Sequence, residues 1–212
     1  VLINGLSNSM YLAVITVLIG MPLSVVTGYA LARYKIKFKN LIISFILMTI
    51  VIPVFTTIIP IYSFFMEHSM LDSMLWTSVI FISAFIPLNI WIIMNYFREL
   101  PEDLWEAAAI EGANERQLFF QIGLPLAKPI VLTSSLVIFL MSWKQYIIPM
   151  LLLSSHNNKV LTLIMSEFMT RDAINYSVIA MSGIIVIIPP LLASIIFRKN
   201  LVSGLTAGSV KE

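Results

Sequence analysis

The residue types that catalyse reactions or bind metal ions are sparse in this sequence, and their spacing suits neither task. There is no cysteine, and the two histidines, His68 and His156, are not part of a His-Glu-x-x-His pattern. No Gly-x-x-x-x-Gly-Lys-Ser/Thr run is present to bind nucleotide phosphates. The long apolar blocks contain no aspartate, glutamate or histidine that could activate a serine. We therefore expect no catalytic site, no metal site and no cofactor, and an integral membrane enzyme is the minor alternative.

One polar segment, residues 98–128, has a regular pattern of helix-forming and helix-ending residues. The alanines at 107–109 favour a helix and have almost no side chain, and Gly112 can adopt a left-handed conformation after it. Asn114 and Gln117 have the spacing of a capping box that begins a second helix. The pattern predicts a helix, a sharp turn and a second short helix. By residue type alone, this pair fits either a docking element for another protein or an ordinary helix pair at the membrane interface.

Polar side chains inside the apolar blocks are candidates for a solute pathway, because such groups are costly in a membrane and tend to face a bundle interior. On a continuous helix at 100° per residue, four of them share an arc of about 160°. These four are Ser142, Trp143, Gln145 and Tyr146. Aromatic rings beside amide and hydroxyl groups suit a sugar, whereas the alternative is that Trp143 and Tyr146 are interfacial or packing residues. The candidate pathway residues are Asn89, Ser142, Trp143, Lys144, Gln145 and Tyr146.

Lys144 lies outside that arc and needs its own explanation. A lysine well inside a membrane span costs roughly 2.5–3.5 kcal/mol on insertion scales. Three environments could compensate for this cost: a partner protein, a water-filled cavity or an anionic solute. The sequence leaves these open.

The elements that position these residues are long apolar blocks. The chain of 212 residues is 59% hydrophobic and 11% charged, whereas a soluble domain has about 25% charged residues. A helix needs about 20 apolar residues to cross a membrane. The composition predicts an all-α integral membrane protein, with one domain over residues 1–212. Its five predicted spans lie at about 9–32, 41–66, 74–97, 129–153 and 174–197.

The basic residues orient these spans. Four lie between the first two spans, three between the third and fourth, and three after the fifth, whereas the opposite loops contain only Lys159 and Arg171. The basic side is therefore predicted to be cytoplasmic. This places the start of the chain outside the cytoplasm, so we expect a sixth span upstream of Val1.

The polar segment closely resembles the EAA loop of the permease subunits of ABC importers. That loop has Glu-Ala-Ala, three residues, Gly, nine residues, Ile, one residue and Leu-Pro. The same intervals separate Glu106-Ala107-Ala108, Gly112, Ile122 and Leu124-Pro125. Tyr29-Ala30-Leu31-Ala32-Arg33 and the tail from Gly204 to Lys211 are similar to permeases of the maltose-type carbohydrate group.

The resemblance implies a type I ABC importer permease fold in the cytoplasmic membrane and import of an oligosaccharide or related sugar. It also implies three partners: cytoplasmic ATPase subunits docked on the loop, a second permease subunit and an extracytoplasmic solute-binding protein. Lys144 departs from the family, which often has asparagine there, so an anionic solute such as glycerol phosphate or a uronic-acid sugar is the alternative. The resemblance implies that four residues couple the permease to the ATPase: Glu106, Ala107, Ala108 and Gly112.

Overall fold

The computed structural model describes residues 1–170 and 176–206, and within these ranges the chain is almost entirely helical, with no strand. Residues 98–128 connect two long helices, Met74–Glu99 and Leu124–Trp143, and overlap the adjoining end of each. The elements are α1 (Leu2–Arg33), α2 (Lys39–Val51), α3 (Val54–Glu67), α4 (Met74–Glu99), α5 (Glu102–Ile110), α6 (Glu115–Gln117), a π-helical segment (Leu118–Gly123), α7 (Leu124–Trp143), α8 (Ile147–Leu152), α9 (Leu161–Thr170) and α10 (Tyr176–Thr206).

Four of the five predicted spans correspond to helices that are long and apolar enough to cross a membrane. These are α1, α4, the continuous helix Glu115–Trp143 and Ile179–Phe197 within α10. The start predicted for the last span, residues 174–175, lies outside the described residues. The predicted all-α membrane architecture is therefore confirmed.

The second predicted span is not a single straight helix. Here α2 and α3 meet at 91° around Ile52 and Pro53. Proline disfavours a helical conformation in the residue before it, and Ile52 is accordingly extended, with φ −65° and ψ 121°. The two halves together form either one broken span or a re-entrant loop.

The fourth predicted span has different ends in the structure. The second short helix expected in the 98–128 segment is the beginning of the membrane helix itself, because α6, the π-helical segment and α7 run on without a break. The apolar residues at 118–120 and 122 continue the helix directly from its cap. At the other end, α7 stops at Trp143 instead of reaching residue 153.

Close packing of α1 against α4 forms the centre of the bundle. At Gly28, an added Cβ would lie 2.8 Å from Ile93 Cγ2 and 3.0 Å from the backbone nitrogen of Met94. The two helices therefore approach so closely that only glycine fits at this position.

Hydrogen bonds between loops show which loops share an end of the bundle. Tyr34, after α1, bonds to Glu115, and Asp72, before α4, bonds to Ser154 and Ser155. The loops that the charge pattern placed together are therefore together, with the basic loops at one end.

Candidate functional site

The turn between α5 and α6 has the geometry that its sequence predicts. Gly112 has φ +86°, and its backbone N–H donates to Ala109 O, while the Ala113 N–H donates to Ala108 O. This pair of bonds is a Schellman motif, which ends a helix with a left-handed residue. An added Cβ on Gly112 would meet nothing within 4 Å. Glycine is therefore required here for its backbone conformation and not for space.

The predicted capping box follows directly. The Gln117 N–H donates to Asn114 Oδ1 at 3.0 Å, and the Asn114 N–H donates to Gln117 Oε1 at 2.8 Å. Both residues satisfy backbone groups that would otherwise be unpaired at the start of a helix. The two helices are thus joined by a short turn that hydrogen bonds stabilise on both sides.

Trp105 anchors α5 to the membrane bundle, a role that the sequence pattern did not indicate. Its side chain is 2% exposed. The Arg33 guanidinium carbon lies 4.5 Å from the centre of its ring, and the Tyr29 ring contacts it edge-on at 5.9 Å. An added Cβ on Gly123 would lie 3.2 Å from Trp105 Cη2. Trp105 therefore contacts both the end of α1 and the π-helical segment that leads into α7.

A second contact links the end of α1 to the start of α6. The Tyr34 hydroxyl donates to Glu115 Oε2 at 2.8 Å. This hydrogen bond is the main cause, and burial a smaller one, that raises the pKa of Tyr34 to about 12. The hydroxyl is therefore protonated throughout the physiological range and remains a donor to Glu115.

The faces of α5 separate the predicted coupling residues. Trp105 and Ala108 face the bundle, where Ala108 packs against the cluster around Trp105. Glu106, Ala107 and Gly112 are exposed, and Ile110 has an exposed fraction of 86%. Away from Trp105, α5 therefore exposes acidic and small residues together with two large apolar side chains, Leu104 and Ile110, which the described part of the chain does not cover.

The predicted pathway segment is not helical throughout, so the expected arc is wrong in its geometry. Proline at 149 lacks an N–H, and its ring would clash with the carbonyl four residues before it, that of Gln145. The chain accordingly breaks between α7 and α8. The Gln145 side-chain oxygen accepts hydrogen bonds from the N–H groups of Tyr146 and Ile147, and its carbonyl accepts one from the Thr162 hydroxyl at 2.9 Å.

Most of the predicted pathway side chains are packed within this chain. Asn89 is 0% exposed, and Ser142 and Trp143 are each 4% exposed. The Trp143 indole N–H donates to Val186 O at 3.1 Å, and the Tyr146 hydroxyl lies 3.1 Å from Ser166 Oγ. Lys144, in contrast, is exposed at the break. The structure therefore does not bring the six residues to one common surface.

A cavity of about 390 Å³ lies beside this segment, between the bent pair α2–α3 and helices α4 and α8. Its wall is mainly apolar, with three hydroxyl side chains, and includes Leu88 and Met141, the chain neighbours of Asn89 and Ser142. The hydroxyl residues are Thr49, Thr57 and Ser83. Sequence reasoning missed them because single serines and threonines are common in membrane helices.

No group of three or more histidine, aspartate or glutamate side chains that could hold a metal ion occurs among residues 1–170 and 176–206. The features that the structure does show are the exposed face of α5 and the mainly apolar cavity beside the break.

Comparison with known proteins identifies the family. The model of the family "Binding-protein-dependent transport system inner membrane component" matches residues 8–206. The arabinooligosaccharides transport system permease protein AraQ of Halalkalibacterium halodurans is 28% identical over 204 residues, covering 96% of this chain and 72% of that protein. The diacetylchitobiose uptake system permease protein NgcG of Streptomyces coelicolor is 26% identical, covering 96% of this chain and 68% of that protein.

A solved structure shares the fold. The crystal structure of a bacterial ABC transporter involved in the import of the acidic polysaccharide alginate aligns with a TM-score of 0.70 and 20% identity, covering 98% of this chain and 75% of the matched chain. The predicted type I importer permease fold and the multi-pass location in the cytoplasmic membrane are thereby confirmed. The chain belongs to the family of inner membrane components of binding-protein-dependent transport systems.

Proposed function

We propose that this chain is the permease subunit through which a carbohydrate enters the cell, driven by a separate ATPase that docks on the loop between α4 and α6. The two relatives described above are named for arabinooligosaccharides and diacetylchitobiose, which favours an oligosaccharide or related sugar over the anionic alternative. ATP hydrolysis is assigned to the partner because this sequence has no phosphate-binding motif.

The geometry of α5 is the observation that carries this proposal. Glu106, Ala107 and Ile110 form an exposed face on a helix whose opposite face is fixed to the bundle by Trp105. Small side chains let another backbone approach closely, and burial of one isoleucine contributes about 1.5–3 kcal/mol. We assign Glu106, Ala107 and Gly112 to ATPase docking, directly or through the turn, and Ala108 to the packing that supports them.

Movement of the docked ATPase would reach the membrane helices by two routes. Trp105 contacts Arg33 and Tyr29 of α1, and the Gly112 turn leads directly into the continuous helix Glu115–Trp143. The loop is therefore connected to α1 and α7, both of which pack against α4. This arrangement supports coupling between ATP hydrolysis and rearrangement of the bundle.

For the pathway, we propose that solute passes along the side of the bundle where Lys144 is exposed and the cavity opens. Gln145 and Tyr146 hold the break between α7 and α8 in place, whereas Asn89, Ser142 and Trp143 are buried inside the bundle. A second permease subunit would close this side, and an extracytoplasmic binding protein would deliver the sugar.

The docking proposal can be tested by Ile110→Ser in the assembled complex of both permease subunits, ATPase and binding protein. We expect ATPase binding to weaken by roughly tenfold or more, since about 1.4 kcal/mol corresponds to a factor of ten. Sugar-stimulated ATP hydrolysis should fall in parallel.

Ile3→Ser is the matched control, because Ile3 is 77% exposed at the opposite end of the bundle. It should leave both quantities unchanged. Equal ATPase binding by the wild type and Ile110→Ser would contradict the assignment of this face.

A further inference from the structure

The segment 98–128 between α4 and α7 is here called the coupling loop. Asp72 joins two loops at the opposite end of the bundle. Its Oδ1 accepts hydrogen bonds from the N–H groups of Ser154 and Ser155, each at 3.0 Å. Its own N–H donates to Leu152 O at 2.7 Å, and its carbonyl accepts from Asn158 Nδ2, also at 2.7 Å. One residue thus makes four hydrogen bonds to a segment about eighty positions away in sequence.

The backbone around Asp72 is held in an uncommon conformation. Asp72 has φ +57° and Ser69 has φ +55°, a region that non-glycine residues seldom occupy, although aspartate tolerates it better than most. Such conformations persist when the surrounding structure determines them. The next residue, Ser73, caps α4 through its hydroxyl. The left-handed turn therefore orients the Asp72 carboxylate toward residues 154–155 while α4 begins immediately after it.

The carboxylate of Asp72 is ionised at neutral pH. Burial raises its pKa, but the hydrogen bonds from Ser155 and Ser154 have the larger combined effect, and the pKa of Asp72 lies below its ordinary value. A charged acceptor strengthens both hydrogen bonds. The link between the two loops is thus stronger than one made by neutral groups.

The segment that Asp72 holds is also attached to α1. Asn8 Nδ2 donates to the carbonyls of Asn157 and Lys159 at 2.7 and 2.9 Å, and the Leu161 N–H donates to Ser9 Oγ at 2.9 Å. Residues 153–160 are therefore fixed between the outer ends of α1 and α4.

This segment connects α8 to α9, and residues 147–170 are here called the outer lobe. The outer lobe holds the break in the proposed pathway, because Thr162 bonds to the Gln145 carbonyl and Ser166 lies against the Tyr146 hydroxyl. The position of the break relative to α4 thus depends on how the outer lobe is attached to α4. Phe81 and Phe85 of α4 share a buried apolar cluster with the outer lobe, and Asp72 adds the four directional hydrogen bonds that fix the position of its loop.

We infer that Asp72 is a positioning residue for solute transfer, which holds the outer lobe against α4 so that the pathway segment 144–146 keeps its place. This inference rests on the proposed function, since its consequence is measured as sugar transport. Asp72 makes hydrogen bonds to residues 152–158 and is not part of the coupling loop.

The test compares Asp72→Ala with Asp72→Asn in the assembled transporter. Asparagine keeps an acceptor oxygen for Ser154 and Ser155, whereas alanine removes it. A spin label at His156→Cys, an exposed position in a chain without cysteine, reports the mobility of the outer lobe without any transport measurement. Uptake kinetics, basal ATP hydrolysis and the amount of assembled complex are measured in parallel.

We expect Asp72→Ala to mobilise the label and to raise the half-saturating sugar concentration by roughly tenfold, as expected for loss of one to two hydrogen bonds. Basal ATP hydrolysis should stay near the wild-type rate, and Asp72→Asn should restore most of the label order and the sugar affinity.

Three results would overturn the inference. These are an equally ordered label in Asp72→Ala, a mobile label with unaltered uptake kinetics per assembled complex, and an Asp72→Asn variant as defective as Asp72→Ala. Failure of the proposed function is visible separately, because the wild-type complex would then show no sugar uptake while the label comparison still reports on the link.

Discussion

Replacing Trp105 by alanine should release α5 from the bundle. Trp105 is 2% exposed and contacts Tyr29, Arg33 and Gly123. Truncation of a buried tryptophan to alanine costs about 3–5 kcal/mol. At about 1.4 kcal/mol per factor of ten, the equilibrium constant between the docked and the released α5 should fall at least about a hundredfold.

The helix cannot compensate for this loss on its own. It has nine residues, and isolated helices shorter than about 12–15 residues are marginal in water. Release from the bundle should therefore be accompanied by unfolding of α5. Amide hydrogen exchange at residues 106–113 of the assembled complex measures this directly, and sugar-stimulated ATP hydrolysis measures its effect on coupling.

Trp91→Ala is the matched control, because Trp91 lies in α4 and is 40% exposed. It should leave exchange in α5 and the stimulated hydrolysis near wild-type values, while Trp105→Phe should have an intermediate effect. If Trp105→Ala kept full amide protection, the anchoring role would be wrong. If protection were lost but coupling stayed normal, the loop would not transmit ATPase movement.

Three further changes test local features of the structure. Gly112→Val should cost about 1–2 kcal/mol from backbone conformation alone, so sugar uptake falls while the subunit still reaches the membrane; unchanged uptake and ATP hydrolysis would exclude the turn from the mechanism. Gly28→Ala should lower the free energy of unfolding of the purified complex by about 1–3 kcal/mol through overpacking and so lower its melting temperature. Gly183→Ala, with nothing within 4 Å of the added Cβ, should leave the melting temperature unchanged. Equal melting temperatures for the two variants would contradict the close approach of α1 and α4. Because the pKa of Tyr34 is raised to about 12, its bond to Glu115 is fully present below pH 10 and is lost only as the pH rises toward 12. The tyrosinate absorbance difference between wild type and Tyr34→Phe should therefore appear near pH 12, and a difference centred near pH 10 would contradict the bond.

Structural features could be predicted from the sequence where the interacting residues are only a few positions apart. The Gly112 turn and the Asn114–Gln117 capping box form within five positions, so residue type and spacing are enough to predict them. The burial of Trp105 depends on Tyr29 and Arg33, which are more than seventy positions away. No local pattern distinguishes it from an exposed tryptophan at a membrane interface.

Prolines explain where the predicted helices were too long. Pro53 and Pro149 interrupt the second and fourth predicted spans, whereas Pro22 and Pro87 remain inside α1 and α4. Every one of them lacks an N–H. The outcome depends on whether neighbouring groups satisfy the freed backbone carbonyls, which only the folded structure determines.

The wrong arc around residues 142–146 has the same origin. A helical wheel assumes a constant rotation per residue, and Pro149 removes that regularity from residue 145 onward. The residue types still indicated a special segment, because Gln145 and Tyr146 make the hydrogen bonds that stabilise the break. The roles of individual residues toward solute remain a prediction.

The uninterrupted helix from Glu115 to Trp143 has a mechanical consequence. It contains 29 residues, so at 1.5 Å per residue it is a rod about 43 Å long. One end is the coupling turn, and the other is the break at Lys144. When such a rod tilts by 5° about one end, the other end moves by about 4 Å. When it pivots near its middle, where it packs against α1 and α4, the two ends swing in opposite directions, so that a displacement of the turn moves the Lys144 end the other way.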